Sequence, residues 1–186
     1  MSLQYSETMS VDTLAPMFSL PGADGQTYSL ESFRDKKGLL VVITCNHCPY
    51  AKASWPLITD LHKQFGHEVA FVAINPNDAT AYPDDSFEVM KQKVGEWQIP
   101  FPYLRDESQE VARAYRAQCT PDLYLFHKDK GEFRLFYHGR VNDNWQEPEK
   151  VTQENLKNAL QALVGGNEPP SIQPPSMGCS IKWKEL

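Results

Sequence analysis

Apolar positions gather into two unbroken blocks, Leu39-Leu40-Val41-Val42-Ile43 and Val69-Ala70-Phe71-Val72-Ala73-Ile74. A run without polar alternation fits a strand covered on both faces, as in a parallel sheet. Strands are therefore predicted over 39–44, opened by Gly38, and over 69–74. Between them Ala51, Trp55, Ile58, Leu61 and Phe65 recur at three- and four-residue spacing, the mark of an amphipathic helix. Pro56 lies inside that helix and Gly66 stops it. Strand, helix and strand at this spacing predict a right-handed βαβ unit.

Shorter patterns fill in the rest. Residues 15–20 and 26–30 flank Gly22-Ala23-Asp24-Gly25 and predict an N-terminal hairpin. Asp85-Ser86-Phe87-Glu88 has capping-box spacing and opens a predicted helix to about residue 94. Residues 100–104 read as extended, and Ser108 as the cap of a helix over 109–117. Residues 123–126 and 132–137 predict an antiparallel hairpin around His127-Lys128-Asp129-Lys130-Gly131. Thr152 is the expected cap of a last helix, with Leu156, Leu160 and Leu163 on one face and Gly165-Gly166 at its end. Beyond it Pro169, Pro170, Pro174 and Pro175 argue against regular helix or central strand. The tail is expected to be an irregular arm, with Met177, Cys179, Ile181 and Trp183 available to dock it.

Size and charge narrow the picture. A chain of 186 residues suits one α/β domain with extensions. A net charge of −6 provides no basic stripe for phosphates, so no nucleic-acid partner is expected. No window reaches the roughly 18 apolar residues of a membrane span. Residues 1–7 have neither a basic nor an apolar leader region, so a cytoplasmic location is expected for the chain as given, with Met1-Ser2-Leu3 a candidate expression scar. Four cysteines in this length do not make a disulfide scaffold. They fit a redox or metal role better.

The chemistry concentrates at Cys45-Asn46-His47-Cys48, between the first apolar strand and the helix that follows. A helix N-terminus favours an anion and lowers a cysteine pKa. Two thiols separated by two residues at such a junction close a disulfide with little strain. That is the recipe for a thiol–disulfide redox site. Two other readings stand beside it: half of a zinc site, although no second Cys-x-x-Cys or His-x-x-x-His follows at zinc-finger spacing, or a pair of inert buried thiols.

The order of elements, with Ala15-Pro16-Met17-Phe18-Ser19-Leu20, Asp24-Gly25, Cys45-Asn46-His47-Cys48-Pro49, Asp106-Glu107-Ser108, Thr120-Pro121 and Gly131, resembles the alkyl hydroperoxide reductase/thiol-specific antioxidant (AhpC/TSA) family and the related TlpA-like thiol–disulfide oxidoreductases. The Gly178-Cys179-Ser180 tail is similar to that of peroxiredoxin-like proteins carrying Cys-x-x-Cys. The resemblance implies a thioredoxin-like fold, a central mixed sheet flanked by helices, over residues 12–164, with a Pro-rich C-terminal arm over 165–186. It implies a thiol–disulfide oxidoreductase of cell redox homeostasis. Cys45 is then the exposed nucleophile at the helix tip and Cys48 the deeper resolving thiol. It also implies a cis Thr120–Pro121 bond packed on the disulfide, with the Thr120 backbone offered to an extended substrate.

Thr44, His47, Thr120 and Pro121 become the residues that shape the site. His47 stands where the oxidant DsbA has histidine in Cys-Pro-His-Cys. Cys119 and Cys179 are candidate auxiliary thiols, Cys179 as a resolving thiol that the tail swings in or as a docking residue. No cofactor beyond the redox-active disulfide and no resident metal is implied. The partners expected are a protein or small-molecule disulfide or thiol and an unidentified electron donor. The resemblance has departures. Cys45 and Val41 stand where the peroxiredoxin Pro-x-x-x-Thr-x-x-Cys motif has threonine and proline, so the group that would orient a peroxide is missing. A thiol peroxidase and, less so, a copper- or zinc-handling protein built on Cys45, Cys48 and a third thiol or histidine are the alternatives.

Overall fold

The computed structural model describes residues 2–185. Along the chain come β1 (Leu3–Tyr5), β2 (Ser19–Pro21), β3 (Thr27–Ser29), β4 (Gly38–Ile43), α1 (Pro49–Phe65), β5 (Val69–Asn75), α2 (Phe87–Glu96), β6 (Tyr103–Arg105), α3 (Glu110–Ala114), β7 (Cys119–Thr120), β8 (Asp122–Asp129), β9 (Glu132–His138), α4 (Asn155–Val164) and β10 (Met177–Ser180). A five-stranded mixed sheet runs β6-β5-β4-β8-β9. β4 and β5 pair in parallel, as do β5 and β6, while β8 and β9 are antiparallel to their neighbours.

β4 is buried at every position because it lies between β5 and β8 and is covered on both faces. Its side chains alternate between two cores, as a period of two requires. Leu40 and Val42 pack with Trp55, Ile58 and Leu61 of α1 and Leu156 and Leu160 of α4. Leu39, Val41 and Ile43 pack on the other face with Phe18, Leu20, Phe33, Ala112 and Tyr115. The first strand of the βαβ unit, β4, therefore leads into Thr44 at the carboxyl edge of the sheet, where sites form in open α/β sheets.

The predicted hairpins are present, with shifted bounds. β2 pairs with β3 from Ser19↔Ser29 to Pro21↔Thr27, and residues 15–18 stay outside the strand. β8 and β9 run through most of the predicted loop, leaving Lys130-Gly131 as the turn. Both turn residues have positive φ, 49° and 88°, the requirement of a type I′ connection. Ser86, not Asp85, caps α2, accepting from Val89 N at 3.4 Å. Thr152 bonds to Asp143 instead of capping α4.

The tail corrects the expectation of an irregular arm. β10 is the middle strand of a small sheet ordered β1-β10-β7, with Leu3↔Cys179 on one side and Cys179↔Thr120 on the other. The prolines lie upstream of it, so none removes a donor from the ladder.

Candidate active site

The motif turn is built by its second residue. Asn46 donates its backbone N–H to Asp85 Oδ1 at 2.6 Å and its amide to Asp84 O at 2.9 Å. Its amide oxygen accepts from the Tyr103 hydroxyl at 2.8 Å. Three fixed contacts on one residue, one from its backbone and two from its side chain, set the path from β4 into α1. Pro49 is the first residue of α1, a position where proline is favoured, so Cys48 becomes the N-cap. Cys45 lies before the helix altogether.

This geometry corrects the expected contrast between an exposed first cysteine and a deeper second one. Cys45 and Cys48 are both 0% exposed. All four cysteines are thiols and buried. Cys45, Cys48 and Cys179 form one cluster with Ala51, with Tyr50 packed against it. Thr120 stands over the pair. Its hydroxyl lies 3.2 Å from Cys45 Sγ, and its carbonyl accepts from the Cys48 thiol at 3.3 Å. The Thr120–Pro121 bond is cis.

The two thiols of the motif differ sharply in acidity. The Cys48 thiol is pulled down to about 5, first by the Cys45 thiol that donates to it. Burial opposes this. The Cys179 thiol and the backbone N–H groups of Ala51 and Cys179 add further donors. Donors converging on one sulfur at a helix N-terminus outweigh its burial and the single carbonyl beside it. The Cys45 thiol is pushed well above its ordinary value, by burial, by donation to Cys48 and by the charge of Asp85, against the Thr120 hydroxyl. Cys179 is pushed up to about 12, by burial and then by donation to Cys48.

The loop between β5 and α2 delivers a residue that sequence reasoning treated as a helix cap. The Asp85 carboxylate is fully buried and accepts from Asn46 N, from His47 Nδ1 at 2.5 Å, from Asn77 Nδ2 at 2.8 Å and from Asn75 Nδ2 at 3.3 Å. Burial alone would raise its pKa. The His47, Asn77 and Asn46 bonds hold it below the carboxylate range instead. A carboxylate only accepts, so His47 Nδ1 carries the hydrogen. Arg105 steadies the loop from below, donating to Asn77 O at 2.8 Å. His47 is not a solvated loop residue: it stacks on Tyr82, with ring centroids 5.3 Å apart, and its Nε2 is buried without a hydrogen-bond partner. A ring nitrogen of His47, Cys45 Sγ and an Asp85 oxygen lie within 4.8 Å of one another, the one such group among the described residues with metal-ligand chemistry.

The other expected residues fall as follows. Thr44 extends the strand pairing, N to Ile74 O at 2.8 Å, and its hydroxyl is buried without a partner. Cys119 is a packed thiol donating to Pro121 O at 3.6 Å, and burial pushes its pKa up. Cys179 needs no swing, because β10 already places it against Cys48. Gly178 makes this approach possible: a Cβ there would stand 2.1 Å from Thr120 O and 2.6 Å from its carbonyl carbon.

Comparison with known proteins places this geometry. The model of the AhpC/TSA family matches residues 11–132. The chain is similar to an uncharacterized conserved protein from Geobacillus kaustophilus, with 40% identity and a TM-score of 0.93, covering 100% of this chain and 98% of that one. It is also similar to a hypothetical protein from Sinorhizobium meliloti, with 37% identity and a TM-score of 0.91, covering 98% and 99%. The thioredoxin domain of a thiol-disulfide oxidoreductase from Bacteroides vulgatus has the same fold at 17% identity and a TM-score of 0.57, covering 71% of this chain and 91% of that one. The fold is thus thioredoxin-like. No curated protein matches the chain in sequence. No helix among the described residues is long and apolar enough to cross a membrane.

Proposed function

The chain belongs to the AhpC/TSA family, and we propose that it is a thiol–disulfide oxidoreductase whose attacking thiolate is Cys48. The observation that carries this reading is the set of donors converging on Cys48 at the N-cap of α1. At neutral pH a thiol with a pKa of about 5 is almost wholly thiolate. The Cys48 thiolate attacks a substrate disulfide, forms a mixed disulfide and expels one substrate thiolate. Cys45 then attacks Cys48 Sγ, passes its proton to the departing sulfur and closes Cys45–Cys48. Two electrons move from the dithiol to the substrate, which leaves as two thiols. The reverse sequence oxidises a dithiol.

Cys179 is a third thiol on the same sulfur. It attacks Cys48 within the Cys45–Cys48 bond, giving Cys48–Cys179 and a Cys45 thiol, with no net change in oxidation state. His47 and Asp85 hold the motif turn in place; the Thr120 hydroxyl lies against Cys45.

The test is oxidation of the reduced protein by hydroxyethyl disulfide, followed by peptide mapping. A Cys45–Cys48 bond that dithiothreitol reverses is expected, and Cys45→Ser should shift the bond to Cys48–Cys179. A protein that keeps all four thiols open to alkylation overturns the reading.

A thiol peroxidase is the second reading, favoured by the same Cys48 thiolate. Its mark would be fast loss of Cys48 in stopped-flow reaction with hydrogen peroxide. Slow reaction is expected, because Cys45 fills the place of the orienting threonine.

A further inference from the structure

We infer that the external substrate of this centre is a low-molecular-weight disulfide reached from the cavity beside Tyr50, not a polypeptide docked as a strand; this rests on the redox reading above. An extended peptide is best held beside a thiolate by pairing with a free strand edge. The edge beside these sulfurs is β7, and the chain itself occupies it. β10 pairs through Cys179↔Thr120 and Ser180↔Cys119. The contact over Thr120 is so close that it admits only glycine at position 178. The far edge of β10 is covered in turn by β1, with Leu3↔Cys179, Gln4↔Gly178 and Tyr5↔Met177. A strand added outside β1 would lie three strand spacings from β7, about 14 Å, too far for its sulfur to meet Cys48.

β10 is not a loose cover. Upstream, Arg140 N donates to Pro174 O at 3.0 Å and Ser176 Oγ to Gly139 O at 2.9 Å. Downstream, Lys182 N donates to Asn77 Oδ1 at 2.9 Å, while Lys182 O accepts from Asp78 N at 2.8 Å and Gln109 Nε2 at 2.9 Å. Displacing the strand would break these bonds on both sides together.

A half-open cavity reaches the thiol cluster at Tyr50. It measures about 320 Å³ and lies between α1 and the tail, lined by Tyr50, Ser54, Pro121, Arg140, Trp145 and Met177 among others. Tyr50 forms its boundary with the thiol cluster and meets Trp145 at 4.1 Å between ring centroids. That volume sits at the small end of ligand pockets, which run from about 300 to 1,000 Å³. It is of a size for a small disulfide. A shift of the Tyr50 ring, a side-chain movement, would open the way to Cys48. Admitting a docked strand would require losing β10.

The test compares oxidants of the reduced wild-type protein. Hydroxyethyl disulfide and insulin are each added, and closure of Cys45–Cys48 is followed by mass, with insulin reduction followed by turbidity. Hydroxyethyl disulfide should close the bond at least about tenfold faster than insulin at equal disulfide concentration. Comparable rates overturn this inference and leave the redox reading standing; closure by neither overturns both. A second variant, Gly178→Val, pushes β10 off Thr120 and should raise the insulin rate relative to the small-disulfide rate, a ratio that cancels the effect of the displaced Cys179 donors on Cys48 itself. If that variant keeps its circular-dichroism spectrum and its original preference, the occupied edge is not what excludes polypeptides, and the inference falls.

Discussion

Cys48→Ser should abolish exchange with disulfides, whereas the double variant Cys45→Ser/Cys179→Ser, which leaves neither neighbouring thiol to resolve Cys48, should capture substrate once and hold it as a mixed disulfide. The order is opposite to the one that family resemblance implies for a Cys-x-x-Cys pair. It follows from where α1 begins. Cys48 caps the helix and collects donors, while Cys45 is fully buried, beside Asp85, and is itself one of those donors. At pH 7 the remaining Cys45 thiol of the Cys48→Ser protein is almost all protonated, so disulfide exchange should fall by about 100-fold or more. In the wild type, alkylation by iodoacetamide should stay on a plateau at neutral pH and fall as pH drops through about 5. The same shift links to stability. Cys48 is depressed in the fold relative to an unfolded thiol near 8.5, so its contribution is complete above about 8.5 and is lost as pH falls through the folded value. Reduced wild type should therefore gain stability between those limits, and Cys48→Ser should lose that slope. Trapped mixed disulfides in Cys48→Ser, with an inert Cys45→Ser, would restore the other order of roles.

The parts of this centre differ in how they can be read from residues. β4, α1 and β5 are legible because an unbroken apolar run, a 3.6-residue period and a second run leave little choice of fold. The place of Cys48 at the helix cap, on which the proposed order of roles rests, had a signal: Pro49 is a preferred first helical residue. Asp85 had none that was decisive. Asp85-Ser86-Phe87-Glu88 lets either of two residues cap α2, and only the tertiary fold frees Asp85 by giving the cap to Ser86. β10 was hidden by its neighbours. Four prolines upstream mark an arm, yet the strand begins after them, and its partners Thr120 and Leu3 are more than fifty residues away in sequence. Gly178 reads as a flexible residue until Thr120 O is seen where its side chain would be. Local patterns report local order. A contact between distant segments leaves only the odd small or polar residue that suits it.

Asp85→Ala should destabilise the protein by about 3–5 kcal/mol, the cost of removing one partner from a buried charged network. Without the carboxylate, the Asn46 N–H and the Asn77 amide face a dry interior with no acceptor, and His47 Nδ1 loses its partner too. The motif turn hangs from these bonds, so the thiols should be displaced as well. Asp85→Asn separates the two effects. It keeps the shape, removes the charge and presents one amide group to donors, so a smaller loss is expected. Because the Asp85 charge is one of the influences raising Cys45, the neutral variant should bring the Cys45 pKa down and ease closure of Cys45–Cys48. The acid limb gives an independent check. The Asp85 pKa is lowered in the fold, so its contribution is present above the unfolded carboxylate value of about 3.9 and is lost as pH falls through the lower folded value. Urea denaturation between neutral pH and pH near 3 should show wild type losing stability along that limb and Asp85→Ala losing less of it. An Asp85→Ala protein within about 0.5 kcal/mol of wild type at neutral pH would mean that this carboxylate does not hold the site together.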